Sequence, residues 1–202
     1  QNQSSAASDV YKRQDYTIGF DTATNTALEA IDRIRDTAYS HNRIFIVEVM
    51  GRDTGFLALD VGIAGGAQDI FVPERTLAVD KVVSRIEDSV KRGKLSSIIV
   101  AAEGQKPGRA YDLAEAIRKK SGQEAKVCIL GHIQRGGTPT ARDRMLASAL
   151  GAAAVNALVS GFNCHAVGIV RNEVALTPIQ EVTSNKKSIR EDLLNLSQIL
   201  AT

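Results

Sequence analysis

Cysteine is scarce in this chain. Cys128 and Cys164 stand apart and alone, which excludes a disulfide framework and a thiolate metal site and points to a reduced, cytosolic setting. Three scattered histidines, His41, His132 and His165, argue against a His-rich metal centre. No apolar run approaches the roughly 18 residues of a membrane span. An excess of charge of one sign is lacking too: 25 Lys and Arg against 23 Asp and Glu leave a net charge of +2. Such a balance gives no field that would draw nucleic acid or an acidic membrane, and neither is expected as a partner. The start of the chain has no apolar stretch of the kind a secretory signal needs.

What is present is ordinary globular composition, 44% hydrophobic and 24% charged over 202 residues. A chain of that length buries roughly 70% of its unfolded surface and needs no staples. Gln1 to Gln14 (QNQSSAASDVYKRQ) is polar and without hydrophobic period, so residues 1–14 are expected to be a non-native or disordered leader. From Asp15 onward, helical and strand patterns alternate. Ala27, Leu28, Ile31, Ile34 and Ala38 recur at helical spacing over Thr22 to Thr37. IFIVEV (Ile44 to Val49) and SIIVAA (Ser97 to Ala102) are short apolar runs of the kind that form strands buried on both faces. Further helices are expected over Thr54 to Ala64, Val79 to Lys91, Tyr111 to Lys120 and about Thr140 to Ser160, with strands at Asp69 to Val72 and Lys126 to Leu130. HAVGIV, Arg171-Asn172 and EVAL read as a hairpin, and Ser188 with Glu191 as a capping box before a last helix. Strands separated by helices of ten or more residues make βαβ units. The fold class is therefore α/β, with mostly parallel sheets and helices on both faces.

In open α/β sheets, ligands sit outside the carboxyl ends of the strands. Met50-Gly51-Arg52 follows the first strand, Glu103-Gly104 the SIIVAA strand, and Gly131-His132-Ile133-Gln134-Arg135-Gly136-Gly137 the strand ending at Leu130. Guanidinium groups fork onto phosphate oxygens, and a carboxylate accepts from sugar hydroxyls. Arg52, Glu103, His132 and Arg135 together suit a sugar phosphate. Taken singly, each has a plainer reading: a surface ion pair for an Arg, a loop hydrogen bond for His132, a helix cap for Glu103. Their recurrence at three successive strand ends favours the ligand reading.

DYTIGFDTA (Asp15 to Ala23), EVMGR (Glu48 to Arg52), GIAGG (Gly62 to Gly66) and LGHIQRGGTPTARDR (Leu130 to Arg144) resemble, in this order, the bacterial 6-phosphofructokinase family. The resemblance implies phosphoryl transfer from ATP, with Mg2+, to the 1-hydroxyl of fructose 6-phosphate, in a cytoplasmic homotetramer with sites shared between subunits. It places fructose 6-phosphate on Met50, Gly51, Arg52, Glu103, His132 and Arg135, with Arg52 also near the transferred phosphoryl group. Arg43 and Lys126 match positions that reach a neighbouring subunit's site; Lys126 stands where Arg is usual and would give up the bidentate fork. Arg35, Gly66, Arg92 and Lys94 match an effector site for a nucleotide diphosphate or phosphoenolpyruvate. Gln68, where a metal-contacting Glu is typical, and Leu95-Ser96, where Lys and His are common, depart from that pattern.

No GxGxxG or Walker pattern occurs, so no loop here is of the type that cradles ATP phosphates. The family's ATP loops, and the segment with its catalytic aspartate base, lie upstream of DYTIGF. The resemblance is thus to the C-terminal part of such an enzyme, with two Rossmann-like domains of which the first is incomplete. Residues 15–133 with 186–202 are expected to form the sugar-phosphate domain and 134–185 a remnant of the nucleotide-binding domain. The chain alone is expected to lack kinase activity, with its Ala-rich helix presenting apolar surface. A pyrophosphate-dependent phosphofructokinase and a non-catalytic sugar-phosphate-binding protein are the alternatives.

Overall fold

The computed structural model describes residues 14–38, 43–75, 77–93, 96–104, 107–183 and 187–200. They form two compact units, one of Ala23–Gly136 with Ile189–Thr202, the other of the described part of Gln1–Thr22 with Gly137–Ser188.

The first unit is built on four parallel strands. Helix α1 (Phe20–Ala38), most of which lies in this unit, is followed by β1 (Ile44–Val49), α2 (Phe56–Ala64), β2 (Asp69–Phe71), α3 (Val79–Lys91), β3 (Ser97–Ala102), α4 (Arg109–Ser121) and β4 (Ala125–Ile129). The strands lie in the order β2-β3-β1-β4. β1 is central, with Ile44 opposite both Ser97 and Ala125, and Glu48 opposite both Ala101 and Ile129. β3 is buried along its whole length, as a near-continuous apolar run in a covered parallel sheet should be.

The chain steps from β1 to β2 in one direction across the sheet, then from β2 to β3 and from β3 to β4 in the other. Right-handed crossovers then put α2 on one face and α3 and α4 on the opposite face. Packing agrees. Ile44 and Ile46 of β1, with Ile99 and Ala101 of β3, lie under Val82, Val83 and Ile86 of α3 and Leu113 and Ile117 of α4. α2 is apolar apart from Asp60, and six of its nine residues are buried. Of the last helix, α7 (Glu191–Leu200), Leu194 is buried. That helix starts at Glu191, so Ser188 stands ahead of the cap position expected for it.

The second unit holds α5 (Ala141–Val159), the antiparallel strands β5 (His165–Val170) and β6 (Glu173–Pro178), and the short α6 (Ile179–Thr183). Arg171 and Asn172 turn the hairpin with φ of 53° and 69°, the left-handed pair that a two-residue loop demands. Among the described residues this unit contains no parallel pair; the parallel sheet belongs to the first unit. Met145, Val155, Leu158 and Val159 of α5 are exposed.

Residues 15–22 group with this second unit rather than with the sheet that follows them. The cause is Asp143, buried at the start of α5. Its carboxylate accepts from the amides of Gly19 at 3.0 Å and Thr22 at 2.9 Å, and from the Thr22 hydroxyl. The Asp15 amide donates to the Ile169 carbonyl at 2.7 Å. Among the described residues no helix is long and apolar enough to cross a membrane.

Candidate functional site

Three strand ends meet because β1 runs parallel between β3 and β4. The Glu103 amide donates to the Val49 carbonyl at 2.9 Å and the Leu130 amide to the Glu48 carbonyl at 3.0 Å. The segments that follow β1, β3 and β4 therefore start side by side. Met50 and Gly51 are buried; Glu103 is half-buried; Arg52, His132 and Arg135 are exposed. The Gly51 amide points at Glu103 Oε1, 3.4 Å away.

After β4 the chain makes a single 3-10 turn, Gly131–Arg135. Residues three apart eclipse in such a turn, so His132 and Arg135 share one side of it. Gln134 faces the other way, and only 2% of it is exposed. Its Oε1 accepts from the Met50 amide at 2.8 Å and its Nε2 donates to the Ala23 carbonyl at 3.4 Å. Two further carboxylates fix the remaining loops. Glu74 accepts from the Gly55 amide at 2.9 and 3.0 Å. Glu48, 1% exposed, accepts from the amides of Gly108 at 2.7 Å and Ala110 at 2.8 Å, at the start of α4.

Glu48, Glu74 and Gln134 were not among the residues the sequence singled out. One signal was available for Glu48: an acid inside an otherwise apolar buried-strand run.

The other expected ligands lie elsewhere. Arg43 precedes β1, and its carbonyl accepts from the Ser97 amide at 3.2 Å. Lys126 sits opposite Phe45 near the start of β4 and pairs with Glu124 at 3.5 Å. Both are exposed and stand towards the amino ends of their strands, away from Arg52, Glu103, His132 and Arg135.

Arg35 and Gly66 are brought together. The Arg35 guanidinium donates to the Gly65 carbonyl, and a Cβ on Gly66 would lie 3.5 Å from Arg35 Nη2. Arg92 caps α3, and its Nη2 donates to Ser89 Oγ at 3.4 Å. That same hydroxyl accepts from Gln68 Nε2 at 2.8 Å. Gln68 is turned inward and buried, spending its amide on Ser89 and on the Arg85 carbonyl at 2.9 Å. Lys94, the fourth residue of this group, lies outside the described residues.

A sequence model of the family described as Phosphofructokinase matches residues 5–158. The chain belongs to the phosphofructokinase family. It is 61% identical over 187 residues to a Thermus thermophilus protein named ATP-dependent 6-phosphofructokinase 1, the match covering 93% of this chain and 58% of that relative. The chain thus spans rather more than half the length of this phosphofructokinase. Among solved structures, phosphofructokinase from Saccharomyces cerevisiae superposes with a TM-score of 0.83 at 33% identity, over 96% of this chain and 27% of that one. A pyrophosphate-dependent phosphofructokinase from Marinobacter aquaeolei superposes with a TM-score of 0.75 at 27% identity, over 94% of this chain and 56% of that one.

Among the described residues, no three His, Cys, Asp or Glu side chains are placed to hold a metal ion. The loops after β1, β3 and β4 carry Arg52, Glu103 and the His132 turn in place of a glycine-rich phosphate cradle. Neither Mg2+ nor ATP therefore has a complete set of holding residues among the described residues.

Proposed function

We propose that this chain supplies the fructose 6-phosphate side of an ATP-dependent 6-phosphofructokinase. The observation that carries the reading is the meeting of Arg52, Glu103, His132 and Arg135 at the adjoining ends of β1, β3 and β4. Exposed guanidinium and imidazole groups would bind the sugar's phosphate, and Glu103 would accept from a hydroxyl. Arg52 would stabilise charge that develops on the transferred phosphoryl group. The buried Gly51, at a φ of 150° that residues with a side chain rarely adopt, lets the chain turn from β1 towards Arg52 with the Thr54 carbonyl packed against it.

ATP is favoured as donor because the 61% identical relative is named ATP-dependent, whereas the pyrophosphate-dependent structure shares 27% identity. We place Arg43 and Lys126 in a site shared with a neighbouring subunit of a homotetramer, since neither joins the cluster within its own chain. Arg35, Gly66, Arg92 and Lys94 are assigned to an effector that carries phosphate, a nucleotide diphosphate or phosphoenolpyruvate. The setting proposed is the cytoplasm.

Titration calorimetry with fructose 6-phosphate tests the reading on the 202-residue chain. His132→Ala or Arg135→Ala should weaken binding by about tenfold or more, as the loss of a charge-assisted contact does. Equal affinity in both variants and the parent chain would refute the assignment.

A further inference from the structure

Glu48 is the acid that a core argument does not explain. It shares the α3 and α4 face of β1 with Ile44 and Ile46 by the two-residue period of a strand, so a third aliphatic side chain would suit the packing. A carboxylate there must instead be satisfied. Its two oxygens take the amides of Gly108 and Ala110, at 2.7 and 2.8 Å, where α4 starts and the helix dipole favours negative charge. Among the described residues no Lys or Arg pairs with it.

The end of β1 thereby holds the β3–α4 connection at both ends. At its beginning, the Val49 carbonyl accepts from the Glu103 amide at 2.9 Å, and the Gly51 amide faces Glu103 Oε1 at 3.4 Å. At its finish, the Glu48 side chain grips Gly108 and Ala110. Gly108, with φ of 103°, adopts the left-handed conformation that admits the turn.

We propose that Glu48 is a positioning residue of the sugar-phosphate pocket, clamping the Gly108 and Ala110 amides so that Glu103 is held against Gly51. The proposal rests on the sugar-phosphate reading above. A fold that places an acid where an apolar residue would pack gives up stability for placement, and what is placed here is the loop carrying Glu103.

The test compares the parent chain with Glu48→Gln, Glu103→Gln and the double variant, by amide hydrogen exchange and by fructose 6-phosphate titration. Glu48→Gln should speed exchange at Gly108 and Ala110, and also at Gly51 and Glu103, while Ile46 and Val100 are unchanged. It should weaken binding about tenfold, the value of one charge-assisted hydrogen bond, in the parent chain, and add nothing once Glu103 is Gln. An equal loss in both backgrounds, or unchanged exchange at Gly51 and Glu103, overturns the proposal. If the parent chain takes up no fructose 6-phosphate, the pocket reading fails, and exchange at Gly51 and Glu103 alone decides whether Glu48 positions that loop. Should Glu48→Gln not fold, Glu48→Asp, one methylene shorter with its charge kept, goes through the same measurements.

Discussion

The Met50 amide donates to the side chain of Gln134 at 2.8 Å, across 84 residues of sequence and out of contact with water. This bond ties the end of β1 to the turn that bears His132 and Arg135. It needs an acceptor at Gln134, and an apolar side chain of similar size has none.

Gln134→Leu should therefore leave the Met50 amide buried and unpaired, at a cost of about 1–3 kcal/mol. Urea denaturation would measure that loss. The same variant should weaken fructose 6-phosphate binding, because the turn is freed from β1. Gln134→Met, close to glutamine in length and without an oxygen acceptor, should lose a similar amount. If both variants match the parent chain in stability, the Met50 bond is not what Gln134 contributes.

Gly51 makes a sharper prediction, since its constraint is steric. A Cβ there would lie 2.5 Å from the Thr54 carbonyl oxygen and 3.5 Å from the Ala102 Cβ, at a φ of 150°. The closest neighbour is backbone and cannot swing aside. Gly51→Ala should cost about 1–3 kcal/mol, the usual strain of such a conformation, and should shift the Gly51 amide away from Glu103. Both effects are readable, one by chemical denaturation and the other by the amide chemical shifts of residues 50–54 and 103. An Ala variant as stable as the parent, with unmoved shifts, would show that this loop yields easily.

Sequence made the scaffold legible where burial is two-sided or strictly periodic. Ile44 to Val49 and Ser97 to Ala102 were expected as strands and form β1 and β3 to the residue, and the helix expected over Val79 to Lys91 is α3, although its Val90 is exposed. Arg52, Glu103, His132 and Arg135 could be placed near one another because a parallel sheet gathers its strand ends on one edge. Their surroundings were not legible. Gln134 looks like a surface residue in one dimension, and Glu48 stands out only as an acid in an apolar run; the fold shows that each is buried and bonded to a distant amide. The Gly131–Arg135 turn is too short to leave a period. Asp143 drew no attention within TARDR, yet its bonds to Gly19 and Thr22 decide which unit residues 15–22 join. Contacts separated by 124 and 121 residues leave no local trace.

Asp69 is the group through which stability should depend on pH. It opens β2, pairs with the Arg85 guanidinium, and has its other oxygen, Oδ2, without a hydrogen-bond partner among the described residues. Burial lifts its carboxyl from 3.8 to about 6, against the pull of Arg85. An acid whose pKa is higher in the fold than in the unfolded chain binds its proton more tightly when folded. Its contribution is therefore complete below the unfolded value of 3.8 and is lost as pH rises through about 6. Asp69→Asn removes the titration and keeps the shape. The variant and the parent chain should be close in stability near pH 4, and the variant should gain by about 1–3 kcal/mol towards pH 8. Taking the difference between the two proteins cancels the other carboxylates. Urea denaturation across that range would measure it. A parent chain that becomes relatively more stable as pH rises would mean that the Arg85 pair outweighs burial at Asp69.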